Sequence, residues 1–158
     1  MVSRSKQFIL WFDELSIDDV PLVGGKNASL GEMYRELSKE GVRVPNGFAV
    51  TSAAYRHLLE KAGIRNEIKH ILSTLNVKNM HNLAEHGRKV RDIIRNADFP
   101  DDLKAEIIAA YHKLSKTYGE DNVDVAVRSS ATAEDLPGAS FAGQQETFLN
   151  ISGDEKII

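Results

Sequence analysis

Gly24, Gly25 and Lys26 are the first residues along the chain whose types and spacing could bind an anion. Two glycines let the backbone approach a ligand closely and adopt positive φ angles. A helical pattern follows at once, and the first turn of a helix has N–H groups without intrahelical partners, while a lysine adds a mobile positive charge. The group therefore favours a phosphate or carboxylate ligand, although a turn with a solvated surface lysine would have the same local sequence.

This group differs from a P-loop at two positions. A P-loop needs a glycine five positions before the glycine that precedes the lysine, where this chain has Val20. It also needs Ser or Thr directly after the lysine, where this chain has Asn27. A P-loop is therefore not predicted.

Arg128 is the second candidate for anion binding. It follows the alternating valines of residues 123–127, which predict a strand with one buried face, and it precedes Ser129 and Ser130. An arginine at the end of a strand can direct two N–H donors at phosphate or carboxylate oxygens. A structural salt bridge would use the same side chain, and the pattern alone leaves both interpretations open.

A stretch of small and turn-forming residues follows Arg128 and leads into a second strand-like run, ETFLNI. A long loop or open hairpin between two strands is the prediction, and we interpret Glu134 and Asp135 within it as turn residues rather than an acid/base pair or magnesium site. Its backbone and hydroxyl groups could surround a ligand, or belong to an inert loop. The residues concerned are Gly138, Gly143, Ser129, Ser130, Thr132, Ser140 and Thr147.

No metal site is predicted from the sequence. The chain has no cysteine, and no two of its five histidines stand four residues apart, so no zinc or proton-relay motif is present. Each histidine is expected to cap a helix, pack or face solvent. The histidines are His57, His70, His81, His86 and His112.

The elements that must position these residues follow from the periodicity of apolar side chains. The first fifty residues predict strand, helix and strand, with the helix starting near Asn27 and ending at Gly41. Thr51 or Ser52 is expected to cap the next helix. Four helical blocks fill residues 53–118, and the last begins beside Asp101 and Asp102. The aromatic residues in apolar patterns, taken as core candidates, are Trp11, Tyr55, Tyr111 and Tyr118.

Composition limits the class of protein. The chain has 158 residues, 42% hydrophobic and 27% charged, which is typical of a soluble domain with its own core. A net charge of −3 shows no basic excess, so a nucleic-acid partner is not expected. The apolar run at residues 8–12 is shorter than the ~7 to 15 residues of a signal-peptide core and the ~20 of a membrane span. We therefore expect a cytoplasmic protein without a membrane partner.

Three segments together resemble a known family. VGGKNASLGEM (residues 23–33), VPNGFAVTSAAY (residues 44–55) and VRSSATAEDLPGASFAGQQETFLNI (residues 127–151) resemble, in this order, the start of the phosphoenolpyruvate synthase family. The resemblance implies an α+β fold, the N-terminal subdomain of an ATP-grasp domain, with a small sheet and a helical middle section. Residues 1–158 would form part of this nucleotide-binding domain, with a helical section at about 52–118 and a phosphate-facing strand-loop-strand at about 123–151.

The resemblance also implies roles for four residues. Lys26 would contact nucleotide phosphate, and Arg128 would be the catalytic residue that binds the transferring phosphates. Gly143 and Thr147 would line the nucleotide site. ATP would be the nucleotide, accompanied by Mg²⁺ whose acidic ligands are expected outside these 158 residues. Both cations must then converge, so we expect the turn at Gly24 and Gly25 to lie beside the end of the strand at residues 123–127.

The family's reaction is a relay, in which ATP phosphorylates a histidine on a mobile domain and the phosphoryl group then passes to pyruvate in a barrel domain. Phosphoenolpyruvate, AMP and phosphate are the products. The histidine motif and the barrel are absent from these residues, so the chain alone is expected to be inactive. Its partners would be the remaining lobe and the phosphohistidine domain of a longer parent, and pyruvate would be reached only through those domains.

Three alternatives remain open from the sequence. The rifampin phosphotransferase family has a similar first domain and transfers phosphate to an antibiotic. The pyruvate, phosphate dikinase family fits less well, because AGQQET stands here in place of its PGMMDT motif. A free-standing module that senses nucleotide or docks on a partner, without catalysis, is the alternative from another class.

Overall fold

One pair of strands lies in the first fifty residues, a second pair lies near the C-terminus, and helices occupy the chain between them. The computed structural model describes residues 3–133 and 145–158. The strands within these ranges are β1 (Ile9–Trp11), β2 (Phe48–Val50), β3 (Val125–Arg128) and β4 (Thr147–Ile151). The helices are α1 (Val20–Val23), α2 (Gly25–Leu37), α3 (Ser52–Lys61), α4 (Arg65–Ser73), α5 (Met80–Arg95), α6 (Asp101–Thr117) and α7 (Asp154–Ile157). The predicted α+β class is confirmed.

The first core forms where α2 packs against the β1–β2 pair. β1 and β2 are antiparallel, and the register partners Leu10 and Ala49 are both buried. Leu10 and Ala49 join Leu15, Val23 and Ala28 in one buried cluster, which removes their apolar surface from water. This cluster holds the end of α1 and the start of α2 against the sheet.

The predicted helix at residues 27–41 exists with different ends. It begins at Gly25, because Gly24 at φ 83° and ψ 159° interrupts α1 and serves as the N-cap of α2. It ends at Leu37, and the chain then turns until Gly41, whose φ of +79° is the left-handed conformation expected there. The boundaries differ because capping depends on backbone conformation, which apolar spacing does not encode.

The helical section is anchored by α3 and α6. The Thr51 hydroxyl accepts a hydrogen bond from the Ala54 N–H at 3.3 Å and donates one to the Gln7 carbonyl at 2.6 Å, which confirms the predicted cap and ties it to the N-terminal strand. Ala54 packs with Leu103 and Ile107 of α6 in a second core cluster. In the apolar stripe predicted for α6, Leu103, Ile107, Tyr111 and Leu114 are buried, whereas Tyr118 at its end is exposed.

Two of the aromatic core candidates are not in the core. Tyr55 is 49% exposed and Tyr118 is 46% exposed, whereas Tyr111 is fully buried and Trp11 is partly buried. Tyr118 carries a polar tip, and its hydroxyl accepts a hydrogen bond from the Asn46 N–H at 2.8 Å. The prediction was therefore wrong for Tyr55 and Tyr118, because helical spacing identifies a face without showing how much of it another element covers.

Buried Tyr111 connects α6 to the C-terminal strands. Its hydroxyl donates a hydrogen bond to the Val123 carbonyl at 3.0 Å and accepts one from the Gly153 N–H at 2.8 Å. The Ser115 hydroxyl accepts a further bond from the Val123 N–H at 3.2 Å. These contacts place the entry to β3 and the exit from β4 on the same helix. No helix in the described part of the chain has the length and apolar character needed to cross a membrane.

Candidate functional site

Gly24 forms the sharp turn that separates α1 from α2. Its φ of 83° with ψ of 159° is a conformation that is open almost only to glycine. The turn leaves Gly25 and Lys26 as the first two residues of α2, where backbone N–H groups lack intrahelical acceptors. Gly25 is buried and Lys26 is exposed, so the backbone of the turn is enclosed while the cation reaches the surface.

The turn lies directly against the segment that follows β3. The Ser130 hydroxyl donates a hydrogen bond to the Val23 carbonyl at 3.0 Å, across 107 residues of sequence. A Cβ atom added to Gly24 would lie 2.5 Å from Ser130 Oγ and 2.7 Å from the Ala131 carbonyl oxygen. The predicted approach of this turn to the end of the strand is confirmed.

Arg128 and Thr147 face each other across the second strand pair. β3 and β4 are antiparallel, and Arg128 and Thr147 are register partners at the end of the pair. Directly opposed residues in an antiparallel pair point to the same face, and both are exposed here. Among the described residues, no carboxylate lies within ion-pair distance of Arg128. The sequence was also compatible with a structural salt bridge of Arg128, but Arg128 forms none with the residues that the structure describes.

Ser129 extends the pairing by one residue beyond Arg128. Its N–H donates to the Glu146 carbonyl at 3.0 Å, and its hydroxyl accepts from the Glu146 N–H at 2.7 Å. The same hydroxyl donates to Gln145 Oε1 at 2.6 Å. The two sides of the connection are therefore held together at its base.

The structure does not describe every predicted site residue. Gly143 lies outside the described residues, as do Glu134, Asp135, Gly138 and Ser140. Of the four residues assigned from the family resemblance, the structure therefore describes Lys26, Arg128 and Thr147. It places Arg128 beside Thr147, and it places the helix start that bears Lys26 against the residues after Arg128.

Asp19 directly precedes α1, and its carboxylate binds Ser16 and Arg4. Burial acts to raise the pKa of Asp19, but the hydrogen bond from the Ser16 N–H and the Arg4 guanidinium outweigh it and lower the pKa below its usual value. Arg4 contacts both carboxylate oxygens, with Nε 3.1 Å from Oδ1 and Nη2 3.0 Å from Oδ2. The charged form of Asp19 is therefore stabilised by the fold.

Sequence reasoning overlooked the separate roles of Ser129 and Ser130. It treated their hydroxyls as general ligand contacts of a loop, whereas the structure uses one for β4 and the other for the Gly24 turn. Asn27 was considered as a mismatch to the P-loop and as the approximate start of the helix, and its side-chain amide also donates to the Val23 carbonyl at 2.8 Å. The sequence signal that could have indicated these roles was the position of two serines directly after an arginine at the end of a strand.

A separate open cavity of about 350 Å³ lies between the N-terminal 3₁₀ turn Arg4–Lys6 and α3. Lys6, Arg56 and His57 line it, and none of the predicted nucleotide-site residues does. It is therefore distinct from the surface formed by the Gly24 turn and the β3–β4 pair.

No cluster of metal-ligating side chains is found among the described residues. Across residues 3–133 and 145–158, no three histidine, aspartate or glutamate side chains are grouped closely enough to hold a metal ion.

The fold and the site together define an α+β domain in which a glycine-initiated helix meets the end of a strand that bears an arginine. The family model described as the pyruvate phosphate dikinase, AMP/ATP-binding domain matches residues 20–158. The chain belongs to this family.

Relatives similar over nearly the whole chain share one description. The chain is 52% identical over 157 residues to the phosphoenolpyruvate synthase of Aquifex aeolicus, which covers 99% of this chain and 18% of the relative. It is 52% identical over 154 residues to the probable phosphoenolpyruvate synthase of Methanocaldococcus jannaschii, covering 98% and 13%. It is 46% identical over 154 residues to the phosphoenolpyruvate synthase of Escherichia coli, covering 98% and 19%. The chain thus spans less than a fifth of the length of these relatives, and the predicted resemblance is confirmed.

Proposed function

We propose that this chain is the first part of the ATP-binding domain of a phosphoenolpyruvate synthase. The complete protein would convert ATP, pyruvate and water to phosphoenolpyruvate, AMP and phosphate through a phosphohistidine. It would act in the cytoplasm, with the rest of the nucleotide-binding domain and the phosphohistidine domain as its partners. The observation that carries the proposal is the Ser130–Val23 hydrogen bond, because it joins the two segments that bear Lys26 and Arg128.

For the fold, we propose the N-terminal subdomain of an ATP-grasp domain. Two small antiparallel strand pairs flanking a helical section support this assignment, together with membership of an AMP/ATP-binding family. In this arrangement the β3–β4 pair presents the phosphate-facing surface. Gly143 would contribute to that surface from the connection between the two strands.

In the proposed mechanism this part of the chain orients and neutralises the phosphates of ATP. Phosphoryl transfer requires mainly positioning and stabilisation of charge on the phosphate oxygens. Lys26 would supply a point charge at the start of α2, and Arg128 would supply two parallel donors to the transferring phosphates. Thr147 would add a hydroxyl on the same face as Arg128. The Mg²⁺ that accompanies ATP would be held by residues outside this chain.

The relatives favour this proposal over its alternatives. All three relatives named above are phosphoenolpyruvate synthases or probable ones, and none is described as an antibiotic phosphotransferase or a non-catalytic module. The acceptor distinguishes the two enzyme classes. We expect the complete protein to form AMP from ATP when pyruvate is present and not when rifampin replaces it. Transfer to rifampin would identify the phosphotransferase alternative instead.

ATP binding by the complete protein that contains this chain tests the nucleotide role. A hydrogen bond between charged groups contributes roughly 1.5 to 3 kcal/mol, so Lys26→Gln should weaken ATP affinity about ten- to a hundredfold in calorimetric titration. Lys69→Gln is the matched control, because Lys69 is an exposed lysine on α4. Equal affinity of the Lys26 and Lys69 variants would refute the role of Lys26.

A further inference from the structure

We propose that Ser129 and Ser130 are positioning residues that set the distance between the helix start bearing Lys26 and the Arg128–Thr147 pair. The two serines would hold both cations at the separation that one triphosphate requires. This inference rests on the proposed function, because it assumes that Lys26 and Arg128 bind the same nucleotide.

Ser130 holds the Gly24 turn. Its hydroxyl and the Asn27 side-chain amide both donate to the Val23 carbonyl, at 3.0 Å and 2.8 Å. The missing Cβ of Gly24 lets the turn approach until Ser130 Oγ and the Ala131 carbonyl fill that space. Hydrogen bonds together with close backbone packing leave the start of α2 little freedom relative to residue 130.

Ser129 holds the opposite side. Its hydroxyl binds the Glu146 N–H and Gln145 Oε1, and its own N–H binds the Glu146 carbonyl. Because Glu146 directly precedes Thr147, these bonds fix the start of β4 against the residue that follows Arg128. One dipeptide therefore has hydrogen bonds to the residues that lead into β4 on one side and to the α1–α2 turn on the other.

This arrangement favours cooperative binding of one ligand. Lysine and arginine side chains are long and lose conformational entropy when they bind. A backbone that fixes the distance between them reduces the entropy lost in forming the second contact once the first is made. Without Ser130 the same cations would remain, but their separation would fluctuate. The inference is thus about the interaction between Lys26 and Arg128 rather than about either charge alone.

A double-mutant cycle in the complete protein measures that interaction. ATP affinity would be determined calorimetrically for Lys26→Gln, Arg128→Gln and the double variant, first in the wild-type background and then with Ser130→Ala. With Ser130 present, the double variant should lose clearly less affinity than the product of the two single losses. With Ser130→Ala, the losses should become nearly multiplicative, and affinity should itself fall about three- to tenfold.

Two further variants separate positioning from general stability. Ser130→Thr retains the hydroxyl and should restore most of the affinity and of the interaction. Ser73→Ala removes a comparable hydroxyl-to-carbonyl hydrogen bond, of 2.7 Å to His70, at the end of α4, and should change neither. If Ser130→Ala does not fold, Ser129→Ala removes the other half of the link and takes its place in the cycle.

An interaction between Lys26 and Arg128 that is unchanged by loss of the serine hydroxyl would overturn this inference while leaving the proposed function intact. Absence of ATP binding by the wild-type complete protein would instead overturn the proposed function, and this inference with it. The two failures are therefore distinguishable in the same set of titrations.

Discussion

Arg128 on β3 and Thr147 on β4 are register partners in an antiparallel pair, so their side chains share one face of the strand pair. The family resemblance assigns both residues to the nucleotide site. The register of the strand pair places them side by side. Ser129 continues the pairing immediately beyond them. One phosphate group of a ligand could thus contact both the Arg128 guanidinium and the Thr147 hydroxyl on the same exposed surface.

Thr147→Val tests the contribution of that hydroxyl. Valine has nearly the same shape and suits a strand, so the free energy of unfolding should change little. A lost hydrogen bond should reduce ATP affinity of the complete protein about two- to tenfold. Titration calorimetry measures the affinity, and a thermal melt checks the fold. Unchanged affinity would exclude Thr147 from the site.

Arg128→Lys tests whether two parallel donors are needed rather than charge alone. Lysine keeps the positive charge but loses the planar fork that binds two oxygens at once. We expect pyruvate-dependent AMP formation by the complete protein to fall at least about tenfold, corresponding to about 1.4 kcal/mol of transition-state stabilisation. Steady-state kinetics at saturating ATP provide the measurement. Full activity with lysine would show that Arg128 acts only as a point charge.

Gly24→Ala should be strongly destabilising. The alanine would face both the unfavourable backbone angles and a Cβ atom 2.7 Å from the Ala131 carbonyl oxygen, which we expect to cost about 2 to 4 kcal/mol in total. Urea denaturation measures the change. Gly63→Ala is the matched control, because Gly63 also has a positive φ, of +70°, but open space around it. Equal losses at both positions would contradict the close approach at Gly24.

The Asp19 carboxylate should make stability depend on pH in acid. Its pKa is lowered in the folded state, so its contribution is complete above the unfolded pKa of about 3.9 and is lost as the pH falls through the lower folded pKa. Asp19→Asn should therefore cost roughly 1 to 2 kcal/mol near neutral pH, and this difference should shrink below about pH 4. Denaturation at several pH values tests this. Asp98→Asn, which removes a carboxylate at an exposed position, is the control variant.

Tyr111→Phe removes the hydroxyl that links α6 to both C-terminal strands. The change leaves the Val123 carbonyl and the Gly153 N–H without that partner, which should cost about 1 to 3 kcal/mol. Amide exchange at residue 153 should also become faster, because its N–H loses its acceptor. Tyr55→Phe is the control, since Tyr55 is half exposed and should tolerate the loss. Similar costs for both variants would argue against the linking role of Tyr111.

Local features of the fold could be predicted because short segments carry their own physical signals. The apolar stripe of α6, the Thr51 cap and the alternation of β3 depend on neighbours a few residues away, although β3 begins at Val125 and its inward valines are only partly buried. The burial of Tyr55 and Tyr118 could not be predicted in the same way. Whether a helix face is covered depends on an element distant in sequence, and these two tyrosines lie where the described residues leave them half exposed.

The amino-acid sequence by itself determined the membership of the family, the candidate cations Lys26 and Arg128, and the helices and strands that carry them. Only the tertiary structure decided that Ser130 binds Val23, that Ser129 binds Glu146 and that Arg128 stands opposite Thr147. The physical reason is range. Propensity, capping and periodicity act over a few residues, whereas these contacts depend on how whole elements pack, which in the case of Ser130 and Val23 spans 107 residues.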